Sequence, residues 1–65
     1  MSKPTIETNG NRIAARLSRE GWIVRPGGSH DVCTHPSKPG IITPPRRRTI
    51  SIGVARLIAK IAGWI

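Results

Sequence analysis

The sequence predicts a single α+β domain in the order helix, strand, strand, strand, helix. Two segments with apolar residues at helical spacing flank three short segments of β-branched residues, which turns rich in glycine and proline separate. The chain has 65 residues, enough for one domain over residues 1–65. Each helix must bury one face, so the simplest arrangement packs both helices on one face of a three-stranded antiparallel sheet.

The N-terminal part of the chain predicts a short amphipathic helix. Residues 1–7 show little periodicity, and we interpret them as a leader. The helix is predicted over residues 8–20, with Thr8 or Asn9 as its N-cap and Gly21 as its stop. Its expected buried face consists of Ile13, Ala14 and Leu17. A second face carries Arg12, Arg16 and Arg19.

The middle of the chain predicts three strands. We place them over residues 22–26, 29–34 and 41–43, where β-branched and aromatic residues are frequent. The turn at Gly27 and Gly28 joins the first two strands into a hairpin. The third strand ends at Pro44 and Pro45, because neither proline can donate a hydrogen bond to a strand ladder.

The second helix is predicted over residues 52–62, with Ser51 as its N-cap and Gly63 as its stop. Trp64 and Ile65 are expected to fold back onto the core. Apolar residues recur at the spacing of one helical face. The stripe expected to face the core consists of Val54, Leu57, Ile58 and Ile61.

The charge of the chain indicates a polyanionic partner. Eleven Lys and Arg residues oppose three Asp and Glu residues, which gives a net charge of +8. This excess is typical of nucleic-acid-binding proteins, and RNA is the expected ligand. Trp22 and Trp64 are the only aromatic residues of the Phe, Trp and Tyr classes, too few to stack successive bases. We therefore expect binding through the phosphates.

Composition also bears on cofactors and location. Cys33 is the single cysteine, so no internal disulfide can form, which fits a reducing cytoplasm. One cysteine and two histidines supply too few ligands for a tetrahedral zinc site, and no metal or other cofactor is expected. The sequence has neither a secretory signal nor an apolar run of about 18 to 20 residues, so a cytoplasmic protein is predicted.

His30, after the glycine turn, is the candidate catalytic residue. Cleavage of an RNA phosphodiester needs a base for the attacking oxygen, and imidazole suits this near neutral pH. In an extended strand His30 shares a face with Val32, opposite Cys33. If Cys33 packs beneath the helices, His30 faces the open side; if Val32 packs there, His30 is covered. The local pattern leaves both open. His35, at an odd offset, falls on the other face and is interpreted as a turn residue.

Several short motifs follow one another along the chain: Gly21-Trp22, Arg25, Gly28-Ser29-His30, His35-Pro36 and Ala62-Gly63. In their order and spacing they resemble the HicA family of small toxins from bacterial toxin–antitoxin pairs. The resemblance implies a fold like that of double-stranded-RNA-binding domains, with both helices on one face of a three-stranded sheet. It also implies a metal-independent mRNA endoribonuclease, or mRNA interferase, with His30 as its essential histidine. The chain departs from the family pattern at Gly27, Asp31 and Cys33. Asp31 places a carboxylate beside His30.

The leading hypothesis is thus an endoribonuclease with His30 as general acid or base. The predicted RNA-binding residues are Arg25, Gly28, Ser29, Lys38, Arg46, Arg47 and Arg48. Arginine side chains would position the backbone and stabilise charge that develops on the phosphate. A plainer interpretation of residues 46–48 is a solvated basic loop.

Two other functions remain open. The second hypothesis is a non-catalytic RNA-binding module that reads duplex shape. The third, a cationic helix acting at membranes, is disfavoured because a core needs the apolar stripe of residues 52–62. A thin core and strong positive charge favour an acidic protein partner. The resemblance identifies that partner as a HicB-type antitoxin, and oligomers are expected only through its complex.

Overall fold

The structure, a computed structural model, describes residues 6–65. Its elements are, in order, α1 (Gly10–Arg19), β1 (Ile23–Pro26), β2 (Asp31–Thr34) and α2 (Ile52–Ala62). Of the predicted leader, residues 1–5 lie outside the described residues, whereas Ile6 packs against the core. The predicted α+β class is confirmed by this arrangement.

Helix α1 is capped as the sequence indicates. The Asn9 side chain accepts a hydrogen bond from the backbone N–H of Arg12, and Gly21 follows the helix with a φ of 92° that favours glycine. Ile13 and Leu17 are buried. Ala14 was expected on the same face but is exposed. Helix α1 contacts the core through a single row of side chains, in which Ile13 and Leu17 lie one turn apart.

The two described strands form an antiparallel hairpin, and each strand is shorter than predicted. Val24 pairs with Cys33 and Arg25 with Val32. Cys33 is only 1% exposed and belongs to the core, whereas Val32 is partly exposed. This answers the open question about the hairpin: Cys33 packs inward, and the face that carries Val32 and His30 points away from the core.

The prediction of a third strand over residues 41–43 is wrong for the described chain, in which the sheet has two strands. Only Ile42 forms a mutual bridge with Cys33, through backbone hydrogen bonds of 2.7 and 3.0 Å. The N–H of Asp31 continues the register by donating to the carbonyl of Pro44 at 3.2 Å. Pro44 has no N–H to return that bond, so the ladder is interrupted where the prolines begin.

Helix α2 spans the predicted residues, and the Ser51 side chain caps it by accepting from the N–H of Val54. The face that it buries differs from the predicted stripe by one residue. The buried residues are Ala55, Ile58, Ala59 and Ala62, so Ile58 of the predicted stripe is buried as expected, and Ile61 packs partly buried against the core. A shift of one residue corresponds to a rotation of about 100° around the helix axis. The alanines let the helix backbone approach the core closely, and they leave Val54 and Leu57 exposed.

One hydrophobic cluster joins both helices to the hairpin. It contains Ile13 and Leu17 of α1, Ile58 of α2 and Cys33 of β2, so both helices contribute to the core on the Cys33 face. Burial raises the pKa of the Cys33 thiol, which keeps it protonated. Within residues 6–65, no helix combines the length and apolar character needed to cross a bilayer.

A polar cluster joins the C-terminal residues to α1. The indole N–H of Trp64 donates to Glu20 at 2.7 Å, and the Arg16 guanidinium donates to the same carboxylate at 2.9 Å. Arg16 also stacks over the Trp64 ring, 4.2 Å from its centroid. These hydrogen bonds hold the pKa of Glu20 below its ordinary value. Trp64 thus folds back as expected, whereas Ile65 remains exposed.

Candidate functional site

The turn that precedes His30 is held by one arginine. Arg46 Nε donates to Asp31 Oδ1 at 2.7 Å, and Arg46 Nη2 donates to the carbonyl oxygen of Gly27 at 2.7 Å. Its backbone N–H also donates to the carbonyl of Ser29 at 3.4 Å. Arg46 therefore ties both ends of the turn together and offsets the charge of Asp31.

Gly27 and Gly28 have different surroundings within this turn. A Cβ added to Gly27 would lie 2.5 Å from the carbonyl oxygen of His30, closer than real Cβ contacts. The same addition at Gly28 would meet no heavy atom within 4 Å. The surroundings of Gly28 are therefore open, whereas Gly27 closes the turn.

His30 is exposed at the end of this turn. Its backbone forms an isolated antiparallel bridge with Pro45, and its Nδ1 lies 3.0 Å from the hydroxyl oxygen of Ser29. The Ser29 contact orients the ring. Among residues 6–65, no hydrogen bond engages the Nε2 atom of His30, which leaves that atom able to take or give a proton.

A cleft of about 320 Å³ opens beside His30. It is lined by Ser29, His30, Pro45, Arg47, Thr49, Ile50, Ser51 and Val54. Two sources of positive potential border it: Arg47, which lines the cleft, and the N-terminal end of α2, whose first backbone N–H groups lack partners within the helix. A histidine, an arginine and a helix N-terminus together suit a phosphate group.

All three arginines of the 46–48 run line a second cleft of about 460 Å³. This cleft lies between the run and the N-terminus of α1, where Gly10 donates its N–H to the carbonyl of Arg48 at 2.8 Å. Arg47 lines both clefts. The three adjacent arginines therefore occupy different positions. Arg46 lies at the turn, Arg47 between the two clefts and Arg48 beside the start of α1.

Two other predicted RNA-binding residues lie apart from this cleft. Arg25 is exposed on β1 and pairs with Val32, so it shares the outward face of the hairpin with His30. The Lys38 ammonium donates a hydrogen bond of 3.0 Å to the carbonyl of Ala62, at the C-terminal end of α2. Ala62 lies eight residues after Val54, which lines the cleft, so that end of α2 is about 12 Å from the cleft along the helix axis.

His35 has a structural environment, as interpreted from the sequence. Its Nδ1 accepts from the N–H of Ser37 at 3.0 Å, so its Nε2 carries the proton and donates to the carbonyl of Glu20 at 2.9 Å. Its ring packs edge to face on Trp22 with centroids 5.3 Å apart. His35 thus braces the end of the hairpin remote from the turn, and no residue pair His30–His35 forms.

Sequence reasoning did not identify Gly10, Thr49 or Ser51 as part of the site. A Cβ at Gly10 would overlap the carbonyl oxygen of Arg47, so this glycine allows the arginine run to cross the start of α1. A glycine at the first position of a helix, where it has poor propensity, is the only signal the sequence offered. Thr49 and Ser51 line the cleft because the backbone passes beside His30 between the arginine run 46–48 and α2. No local sequence pattern predicts that course.

Comparison with known proteins identifies the family of this chain. No curated protein matches the sequence. Among residues 6–65, no three His, Cys, Asp or Glu side chains converge as metal ligands would. A family model described as the HicA toxin of bacterial toxin–antitoxin systems matches residues 10–64. Because this match covers nearly the whole chain, the protein belongs to the HicA family of toxins, a family that acts with antitoxin partners.

Proposed function

We propose that this chain is a single-domain, metal-independent endoribonuclease that cleaves mRNA and that a HicB-type antitoxin inhibits it. The observation that carries the proposal is the exposed His30 imidazole in a cleft shared with Arg47 and the N-terminus of α2. The family assignment supports the toxin role, and the net charge of +8 supports a polyanionic substrate.

His30 is the proton-transfer group in this proposal. When the ring carries its proton on Nδ1, it donates to Ser29, and Nε2 is free to act as a base toward the attacking oxygen. Once Nε2 has taken that proton, the ring is an imidazolium that still donates from Nδ1 to Ser29, and its Nε2–H can give the proton to the leaving oxygen. The 3.0 Å contact accommodates both roles without a change in ring position.

Arg47 is the group that stabilises the phosphate. Its guanidinium and the backbone N–H groups at the start of α2 would oppose charge that develops in the transition state. The neighbouring Asp31 carboxylate does not weaken this field strongly, because Arg46 pairs with it at 2.7 Å. The departure from the family pattern at Asp31 is therefore compatible with activity.

The path proposed for the RNA backbone runs from the His30 cleft across Arg47 to Arg48. Arg47 lines both clefts, so one extended strand can occupy them in succession. Arg25 extends the positive surface on the His30 face. Lys38 lies at the opposite end of α2 and is not included in this path.

The test compares purified wild-type protein with the His30→Ala variant on an mRNA transcript, with EDTA present. We expect cleavage to fall by about 10² to 10⁴, the usual contribution of a general acid or base, while RNA affinity stays within about threefold. Arg47→Ala should weaken both binding and cleavage, and Arg19→Ala, which removes an equal charge from the far side of α1, serves as its control.

Two results would contradict the proposal. Undiminished cleavage by His30→Ala would exclude this histidine from the reaction. RNA binding without cleavage by the wild type would instead favour the non-catalytic RNA-binding module. Expression of the two proteins in cells, with growth and mRNA integrity as readouts, separates the same alternatives in vivo.

A further inference from the structure

Strand β1 forms one edge of the sheet, and no segment among residues 6–65 pairs with its outer side. All four of its residues are exposed, including Ile23 at 52% and Val24 at 40%. An edge strand presents backbone N–H and C=O groups to which a further strand can bond. The hydrogen bonds of β2 determine which groups of β1 point to this open edge.

The direction of each backbone group on β1 follows from Cys33 of β2. Cys33 exchanges two backbone hydrogen bonds with Ile42, so its N–H and C=O point away from β1. Val24 lies opposite Cys33, so its own N–H and C=O point to the open edge. By the same alternation the carbonyl of Pro26 points there, because its partner Asp31 donates its N–H away from β1. The edge thus offers one donor and two acceptors to an incoming antiparallel strand.

Pro26 limits pairing between two copies of the chain. If two β1 strands paired about Val24, each Pro26 would face Trp22 of the other copy, whose N–H is already donated to Leu17. Because Pro26 has no N–H of its own, only the two bonds between the Val24 residues would form. A pairing centred on Arg25 would oppose two arginines, and a net charge of +8 on each chain disfavours both arrangements. A foreign strand with its own N–H groups can form all three bonds.

The side chains of β1 select the chemistry of that foreign strand. Residues directly opposite each other in an antiparallel pair lie on the same face of the sheet. Arg25 is exposed and forms no ion pair with residues 6–65, so an acidic residue suits the position opposite it. Ile23 and Val24 suit β-branched apolar residues. Because the strand runs antiparallel, its residues would follow in the order acidic, β-branched, β-branched.

We propose that the open edge of β1 docks an extended segment of a partner protein, which adds an antiparallel strand with this order of residues. Backbone hydrogen bonds to Val24 and Pro26 supply affinity. Contacts with Ile23 and an ion pair with Arg25 supply specificity.

This edge lies on the side of β2 remote from the candidate active site. The backbone of His30 pairs with Pro45, which lies across β2 from β1. Apart from Arg25, a strand docked on β1 and an RNA strand in the cleft therefore contact different residues. The docking does not depend on the proposed function.

The experiment titrates the isotope-labelled chain with a β-hairpin peptide and follows the backbone amides by NMR. One strand of the peptide reads Thr-Glu-Val-Ile-Thr, which places its glutamate opposite Arg25. The control peptide reads Thr-Ile-Val-Glu-Thr in that strand and has the same composition and charge. We expect the first peptide to shift the Val24 amide most strongly and the control to bind about threefold to tenfold more weakly, because two cross-strand pairs are mismatched.

Two variants of the chain test the backbone contact. Val24→Pro removes the N–H at the open edge without removing a hydrogen bond to β2. Thr43→Pro is the matched control, since Thr43 follows Ile42 and its N–H points to the opposite edge. We expect affinity for the peptide to fall at least about tenfold in Val24→Pro and to change less than about threefold in the control. If circular dichroism shows that Val24→Pro does not fold, a synthetic chain with N-methylated Val24 replaces it.

Four results would overturn the docking proposal. The first peptide could fail to bind. The two peptides could bind equally, which would leave only a nonspecific charge effect. The loss of affinity could be the same in Val24→Pro and Thr43→Pro. Sedimentation could show that the isolated chain dimerises and that Val24→Pro abolishes the dimer, which would identify the occupant of the edge as a second copy.

Discussion

Substitution of Arg46 and of Arg48 by alanine separates a structural role from a role in RNA binding. Each substitution removes one positive charge, but the two side chains have different partners. Arg46 bonds to Asp31 and Gly27, whereas no hydrogen bond or ion pair joins the Arg48 side chain to residues 6–65. We predict that Arg46→Ala lowers stability and that Arg48→Ala weakens RNA binding.

The magnitude follows from the exposure of the ion pair. The side chains of Arg46 and Asp31 are 44% and 31% exposed, so water screens the pair and its contribution lies near the range of surface pairs, about 0.2 to 1 kcal/mol. The charged hydrogen bond to Gly27 adds about 1 kcal/mol. A total of about 1 to 2 kcal/mol should lower Tm by roughly 4 to 16 °C in a domain of this size.

Thermal unfolding and the salt dependence of RNA affinity together provide the assay. Each single-strand phosphate that is neutralised contributes about 0.7 to the slope of log affinity against log salt. Arg48→Ala should reduce that slope by about 0.7 with little change in Tm, and Arg46→Ala should do the reverse. An Arg46→Ala variant with wild-type Tm and a reduced slope would show that Arg46 contacts phosphate and that its role in the turn is misassigned.

Three further predictions concern stability. Gly10→Ala should cost about 1 to 3 kcal/mol, because the added Cβ overlaps the carbonyl of Arg47; chemical denaturation measures it. His35→Ala should cost about 1 to 3 kcal/mol through two lost hydrogen bonds and an aromatic contact, while His30→Ala leaves the denaturation midpoint unchanged. The pKa of Glu20 is lowered on folding, so its stabilising effect is full above its unfolded value of about 4.3 and is lost as pH falls through the lower folded value. Glu20→Gln should therefore unfold below the wild-type Tm at pH 7, and this difference should vanish in strong acid.

The local signals of the chain were sufficient to predict its helices. Asn9, Ser51 and Gly63 act as the caps and stop that their residue types indicate. Such contacts depend on neighbours within four residues, which the sequence displays directly. The absence of a third strand was not predictable in the same way. It depends on which residues of the hairpin lie opposite prolines 44 and 45, and this pairing is set by the tertiary fold.

The rotation of α2 could not be predicted from periodicity. Val54 and Leu57 have the stronger apolar character, and a pattern based on hydrophobicity places them inside. The core of a 65-residue chain leaves space for a close helix contact through Ala55 and Ala59, and this choice depends on the whole tertiary arrangement. The same limit applies to the site: His30 was identified from a motif, but its neighbours across the cleft come from distant parts of the chain.

The rotation of α2 also shapes the candidate active site. Had α2 buried Val54, the cleft beside His30 would lose it as a lining residue. The cleft therefore has an apolar side at α2 and a basic residue, Arg47, at another side. Phosphate contacts weaken as salt rises, so RNA affinity should fall with salt. Cleavage of the RNA that remains bound should depend on His30 at every salt concentration, because proton transfer by the imidazole does not rely on the phosphate contacts.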